Sequence, residues 1–480
     1  MVMKNKNIKL NLSGIMTVAC AMLLLGSGCK KFLDIPLPTN QVTSDGVYIT
    51  DNATSAVVTG IFYNMYAESV YSGTESVGVR AAYYTDELTA IGTGNVFYTN
   101  SLASSNISQW ASFYRLMYQT NQAIEGIRTT TSTLNNKNQW LGESLFSRAH
   151  LYYYLVNLFG DVPLLLSSDV VVNNKIGRTP KAEIYAQIIA DLKEAEALLG
   201  TDYKDGFALS TTSRGRPNKY AAAALLARVY LENNDWANAE AQSTKIIDNT
   251  ATFQLVPPAQ TFLAASKEMI WGLAPTGAGF VREWGVYNNN MPAVLAGSAI
   301  PTSYVGGVMS QSLVGLFDKT ADTRFSNWVR TVTKTTPFSE YYLPNKYKSN
   351  VNGTEFVMVL RLAEQYLIRA EARVRQNKLT GATGGKADLD AIRLRANLAP
   401  SEAITQTDLI DAILKERQLE LFTEFGFRFI DLKRTGRIDA VMGVVAPLKG
   451  GTWSSFKQIW PIRNEDILIN RNLVQSPGYN

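Results

Sequence analysis

A single histidine, His150, serves all 480 residues, and the only two cysteines, Cys20 and Cys29, both fall within the first 29 positions. That scarcity removes whole classes of chemistry. A Ser-His-Asp or Cys-His nucleophile, or any multi-histidine metal site, would have to be built on His150, which lies in an apolar helical run and reads as a packing residue. With no cysteine after position 29, the body of the protein forms no disulfide and carries no thiol chemistry. No Gly-rich phosphate loop of the Walker type is present, so neither nucleotide nor any other cofactor is expected. Lys and Arg nowhere cluster with interleaved aromatics, which sets nucleic acid aside as a partner.

Long apolar runs are also scarce. The one at 15–25 is too short to span a bilayer comfortably, and it follows Lys4, Lys6 and Lys9 and precedes Gly26-Ser27-Gly28-Cys29. Basic start, short apolar stretch and small residues form an export signal. Residues 1–28 therefore read as a lipoprotein signal peptide resembling the bacterial lipobox, with Cys29 the lipidated first residue of the mature chain. Removing them takes away three lysines and no acids, so the formal net charge falls from +5 to +2. Residues 29–52, with Pro36 and Pro38, read as a lipidated tether that brings the folded body off the membrane.

What the chain has in quantity is helical repetition. In 219–249 Leu226, Ala227 and Tyr230 have the Leu-small-x-x-Tyr spacing of a tetratricopeptide hairpin, and Trp236 and Ala239 open its second helix. The small residue lets two helices approach, and the tyrosine fills the space one turn later. The same small-x-x-Tyr pair recurs as Gly60/Tyr63, in a helix over 53–69, and as Ala149/Tyr152, in a helix over 147–159. Their partners are read over 109–128 and 182–199. A fourth unit, 361–376 with 386–396, keeps Leu367 and Ala370 but has Arg373 in place of the tyrosine, so it is degenerate. One hairpin leaves an apolar face bare, and stacking covers it. The fold class is thus mainly α, with about four helical hairpins over 53–256 and beyond.

Two polar excursions interrupt the repeats: an insertion at 70–108, and an irregular, Gly-rich lobe at 257–355 with short strands near 268–273. The region 356–480 reads as helical from 409 to 434 and then loop. Of 8 Trp, 23 Tyr and 19 Phe, most must be core. Those in the excursions have less core to join, so Trp284, Tyr287, Tyr304, Trp328, Phe97 and Tyr98 are the candidates to lie flat against a sugar ring. The densest acids, Glu416, Glu420, Glu424 and Asp431, interleave with Arg417, Arg428, Lys433 and Arg434, and Glu424 with Arg428 has i,i+4 spacing. Carboxylates paired in this way are held ionised, which is wrong for the general acid of a glycosidase.

These features come together in a resemblance. FGDVPL at 159–164, Arg361-Leu362-Ala363-Glu364 with Tyr366-Leu367 and Arg369-Ala370-Glu371-Ala372, and Glu416-Arg417 with Glu420 stand in the same order as in the SusD/RagB family. So do Gly426, Arg428, Asp431-Leu432-Lys433-Arg434, Trp460-Pro461-Ile462 and Pro477-Gly478-Tyr479. Arg463 and Arg471 stand where it usually has Pro, and Ser476 where Asn is common. The resemblance implies a surface lipoprotein of the outer membrane that binds oligosaccharide without cleaving it. It also implies delivery to a SusC-type TonB-dependent barrel over which the protein sits as a lid. Peptide as the ligand, a surface glycosidase and a pure protein-binding scaffold are the rival readings.

Overall fold

The computed structural model describes residues 47–92, 94–277, 279–288, 303–333 and 340–479. The export signal and Cys29 lie outside the described residues. Helix α1 (Asp51–Ala67) begins at Thr50, whose hydroxyl accepts from Ala53 N, and the first excursion then contributes α2 (Val77–Tyr84) and strand β1 (Leu88–Gly92). The scaffold continues through α3 (Gln109–Thr129), α4 (Lys137–Phe159), α5 (Lys181–Leu198), α6 (Lys219–Glu232) and α7 (Trp236–Ile247). The second excursion holds β2 (Met269–Leu273), α8 (Arg282–Asn288), β3 (Ser303–Met309), β4 (Val329–Thr333), β5 (Glu340–Pro344) and β6 (Val357–Arg361). Helices α9 (Leu362–Arg375), α10 (Gly385–Arg395), α11 (Gln406–Leu421), α12 (Phe427–Arg434) and α13 (Ile438–Leu448) follow.

The pairs α1/α3, α4/α5, α6/α7 and α9/α10 stack in that order, each pair lying against the next. In α6 the reason is visible in the sequence. Asn218 caps the helix by accepting from Tyr220 N and Ala221 N; Ala221 to Ala224 and Ala227 are fully buried, and Tyr230 fills the next turn. Asn234 takes a left-handed φ of 58° in the turn, and Asp235 caps α7 through Asn238 N. In the degenerate unit Arg373 replaces ring packing with ion pairs, 2.9 Å to Asp388 on α10 and 3.0 Å to Glu240 on α7.

Four expectations need correction. The first unit's small-x-x-Tyr pair faces outward: Tyr63 is 55% exposed, and α1 buries Val58, Ile61, Phe62, Met65 and Tyr66 instead. Helix α4 starts at Lys137, ten positions before the expected 147, because Trp140, Leu141, Leu145 and Phe146 are already core. The expected single helix over 409–434 breaks between α11 and α12, where Thr423, Phe425 and Gly426 all have positive φ (57°, 45° and 75°). The expected terminal loop carries α13, whose Ile438, Met442 and Ala446 are buried at i, i+4, i+8 spacing.

The break between α11 and α12 also dissolves the expected Glu424–Arg428 pair. Glu424 turns inward to Lys346 and Arg361, while Arg428 reaches Asp86 at 2.7 Å. Glu424 thereby joins a buried lattice in which Arg324, Lys346, Arg361, Arg393 and Arg395 meet Glu268, Asp322, Glu416, Glu420 and Glu424. Cations and carboxylates are equal in number, the condition under which such a cluster tolerates burial. Removing one member leaves an uncompensated charge at a cost of about 3–5 kcal/mol. Burial alone would raise the Glu420 carboxyl, but Arg395, Arg361 and Arg324 outweigh it and hold the group well below the usual carboxylate range.

Candidate ligand-binding face

The two excursions meet in one antiparallel ribbon, whose strands lie more than two hundred residues apart in sequence. Leu88 pairs with Met309, Thr89 with Val308, Ala90 with Gly307 and, after a bulge, Gly92 with Ser303. A second ribbon, β4–β5, packs against the first through Ile91, Val308, Val332 and Leu343. Helix α8 lies against β3 and is braced at its start. Glu283 accepts from Ser72 Oγ (2.6 Å) and Gly73 N (3.0 Å), and burial raises its carboxyl. Arg282 donates to Tyr66 O, Ala67 O and Ser69 Oγ, with its guanidinium 4.7 Å from the centre of the Tyr66 ring.

On this frame the six candidate aromatics separate. Trp284 on α8 is half-buried: it packs against the main core, with its ring edge-to-face with Phe280 at 5.1 Å and 82°. Tyr98 is also half-buried; the Lys449 ammonium lies 5.1 Å from its ring centre, and burial raises its phenol. Tyr304 lies on β3 beside Ser303, opposite the end of β1; its side chain falls outside the described residues. The other three are core. Phe97 is 2% exposed, wedged between Trp460 (5.2 Å) and Arg80 (4.7 Å). Trp328 is fully buried, and its indole N–H donates to Pro258 O at 2.8 Å. Tyr287 is buried, and that burial, added to by nearby Tyr83, Glu283 and Glu87, pushes its phenol well above its ordinary value.

Tyr287 lines a cavity of about 30 Å³ with Tyr71, Glu283, Lys346, Tyr347 and Glu424. That is room for a water or two and no sugar. Sequence reasoning missed Tyr341, half-buried on β5, where it packs against the small core between the two ribbons. No local periodicity marked it, since β5 passes from exposed Glu340 through half-buried Tyr341 to buried Tyr342, Leu343 and Pro344 without alternating. Trp284, Tyr98 and Tyr341 thus keep some free surface around the ribbons, as do Phe280 beside Trp284 and Phe325 beside Tyr342.

The chemistry of the interior is structural. His150 is fully buried, with Nδ1 3.1 Å from Tyr71 Oη and Trp271 edge-to-face at 5.2 Å; burial, aided by the Arg228 charge, lowers its pKa well below the ordinary value. Glu416, Glu420, Glu424 and Asp431 all spend their charge on buried Arg or Lys partners. Glu87 is pushed up to about 8 by burial and by Asp86, but it is 2% exposed beneath the backbone of Thr423 and faces no opening a substrate could enter. Among the described residues no group of three or more His, Cys, Asp or Glu could hold a metal, and no helix is long and apolar enough to cross a membrane.

The chain is thus a stacked helical-hairpin scaffold with a face of loops and ribbons built from its two excursions. Comparison with known proteins names its family. Residues 31–231 match a family model described as starch-binding and associating with the outer membrane, and residues 278–479 match the SusD family model. A SusD-like protein, P2, of Formosa agariphila is 28% identical over 419 residues, covering 77% of this chain and 80% of its own. The starch-binding protein SusD of Bacteroides thetaiotaomicron is 25% identical over 468 residues, covering 78% and 79%. A solved laminarin-binding SusD-like protein superposes with a TM-score of 0.70 at 22% identity, over 89% of this chain and 99% of that one. The chain belongs to the SusD/RagB family, a family of glycan-binding proteins.

Proposed function

We propose that this protein is anchored in the outer membrane through lipidated Cys29, captures an oligosaccharide on the face around the β1–β3 ribbon, and passes it uncleaved to a SusC-type TonB-dependent barrel. Trp284, Tyr98 and Tyr304 are the contacts retained from the sequence reading, and Tyr341 joins them. The observation that carries the proposal is the pairing of β1 with β3. Two excursions without helical-repeat character converge on one side of a rigid scaffold, where flat apolar rings stand beside polar loop backbone, the composition that sugar binding requires. A starch-binding and a laminarin-binding relative support glycan as the ligand class. The ion-paired state of the acids supports binding without hydrolysis, since a glycosidase needs one carboxylic acid kept protonated next to the scissile bond. Affinity electrophoresis of the soluble body through gels containing one polysaccharide each tests the reading. Retardation by at least one glycan, with no release of reducing ends, is expected. Mobility unchanged in every gel, or release of reducing ends from a glycan, would count against it.

A further inference from the structure

Away from the ribbons, a cleft of about 450 Å³ opens between the end of α4, the start of α5, α12 and the turn at Ser455–Gln458. Neither excursion contributes a residue to its lining. Its size falls within the range of small-molecule sites, about 300–1,000 Å³. Four charged side chains line it: Lys181, Glu232, Lys433 and Arg434. Two of the four are already spent. Arg434 donates to Glu371 at 2.7 and 2.8 Å and to Asp431 at 2.7 Å. Glu232 accepts from Asn157 Nδ2 (2.9 Å), Tyr185 Oη (2.8 Å) and Tyr153 Oη, three neutral donors that fix its carboxylate against α4 and α5.

The two lysines are left without an acid. Lys433 donates to Asn157 O, and the Lys181 ammonium rests 5.3 Å from the centre of the Tyr185 ring; among the described residues neither forms an ion pair. Burial first, and then the Lys181 charge, push the Lys433 amine down to about 7, with Glu232 pulling the other way. The like charges oppose each other more than Glu232 relieves them, a balance that an oxyanion between them would reverse. Around the lysines the lining is amphipathic. Val156, Ile430 and Ile459 are apolar, and Gln458 donates its Nε2 to Asp439 at 3.0 Å, which leaves its amide oxygen to accept. An inorganic ion has no use for an apolar wall, whereas the C–H face and hydroxyls of a sugar ring match one flanked by polar groups.

We infer that this cleft is a second ligand site, one that takes an acidic sugar with its carboxylate held between Lys181 and Lys433. The sugar half of the inference rests on the proposed glycan binding, whereas the oxyanion half rests on the lysines alone. Isothermal titration of the soluble body with D-glucuronate, with glucose and sulfate as controls, tests it. Glucuronate should bind at least tenfold more tightly than either control. Lys181→Gln, a change at an exposed side chain, and Lys433→Met should each weaken that binding at least tenfold, while retardation by a neutral glycan stays as in wild type. At about pH 8 the wild type should take up protons on binding, seen as heats that differ between Tris and HEPES buffers, because the bound carboxylate favours the charged form of Lys433; Lys433→Met should take up none. No glucuronate binding by a body that a glycan retards would overturn this inference and leave the ribbon reading standing. Glucuronate binding by a body that no glycan retards would do the reverse. Glucose binding as tightly as glucuronate, sulfate binding in its place, or full affinity in Lys181→Gln would each overturn the assignment, sulfate alone marking an inorganic-anion site.

Discussion

Replacing Trp284 by alanine separates binding from packing more cleanly than any other change on the candidate face. The indole is half-buried: one edge contacts Phe280, and the backbone beneath it is held independently by Glu283 to Ser72 and Gly73 and by Arg282 to the end of α1. Truncating a fully buried aromatic costs about 3–5 kcal/mol. With half that burial and its braces intact, Trp284→Ala should cost roughly 1–2 kcal/mol of stability. As a central anchor for a sugar ring it should weaken glycan binding by about 1–3 kcal/mol, roughly 5-fold to 150-fold. Trp328→Ala is the packing control. Its indole is wholly buried and hydrogen-bonded to Pro258 O, so it should lose the full ~3–5 kcal/mol of stability while the folded fraction binds glycan as wild type does. Isothermal titration and chemical denaturation on one preparation give both numbers. A Trp284→Ala protein that binds glycan as tightly as wild type would refute the assignment.

Glu420→Ala should cost about 3–5 kcal/mol in urea denaturation, because it strands the guanidiniums of Arg324, Arg361 and Arg395 in the interior; a loss within ~0.5 kcal/mol would show that the buried lattice is not needed for stability. Glu87 has its folded pKa raised to about 8 from 4.5, so between those values the folded state holds a proton that the unfolded state has released. Its contribution is present at acid pH and is lost as pH rises through about 8, and Glu87→Gln should remove that dependence and stabilise the protein by roughly 1–3 kcal/mol above pH 8 while changing little near pH 5. Parallel stability–pH curves for wild type and variant would contradict it. Cys29→Ala should abolish palmitate incorporation and release the protein from membranes, since attachment depends on acyl chains buried in the bilayer; retention through a carbonate wash would remove Cys29 as the anchor.

How much was legible in the sequence depended on whether a residue's partner was local. The α6–α7 hairpin could be read because Asn218, Ala227, Tyr230 and Asp235 act on neighbours within a turn or two. The family motifs were visible too, and the structure gives their physical reason: Arg361, Glu416, Glu420 and Asp431 belong to buried ion pairs, Glu364 pairs with Arg228 at 2.7 Å, and Gly160 ends α4 at φ 72°. Tyr63 was misread because spacing alone does not say which side of a helix meets the core. Phe97 and Trp328 were misread for a related reason. A polar, Gly-rich setting suggested exposure, but Phe97 is covered by Trp460 from the far end of the chain and Trp328 by Phe262 and Phe422. Composition along a single stretch carries no trace of such distant partners. The β1–β3 pairing left no mark in the sequence, since strands of five and seven residues more than two hundred positions apart share no local periodicity that links them.

The account's central claim is that glycan rests on the face around the β1–β3 ribbon. Hydrogen–deuterium exchange of the soluble body, with and without a glycan that retards it, tests that claim most directly. The account predicts slowed exchange in 88–98, 282–288 and 303–309, with the α4–α7 scaffold unchanged. Protection confined to the scaffold helices, with those three segments exchanging as in the free protein, would contradict it.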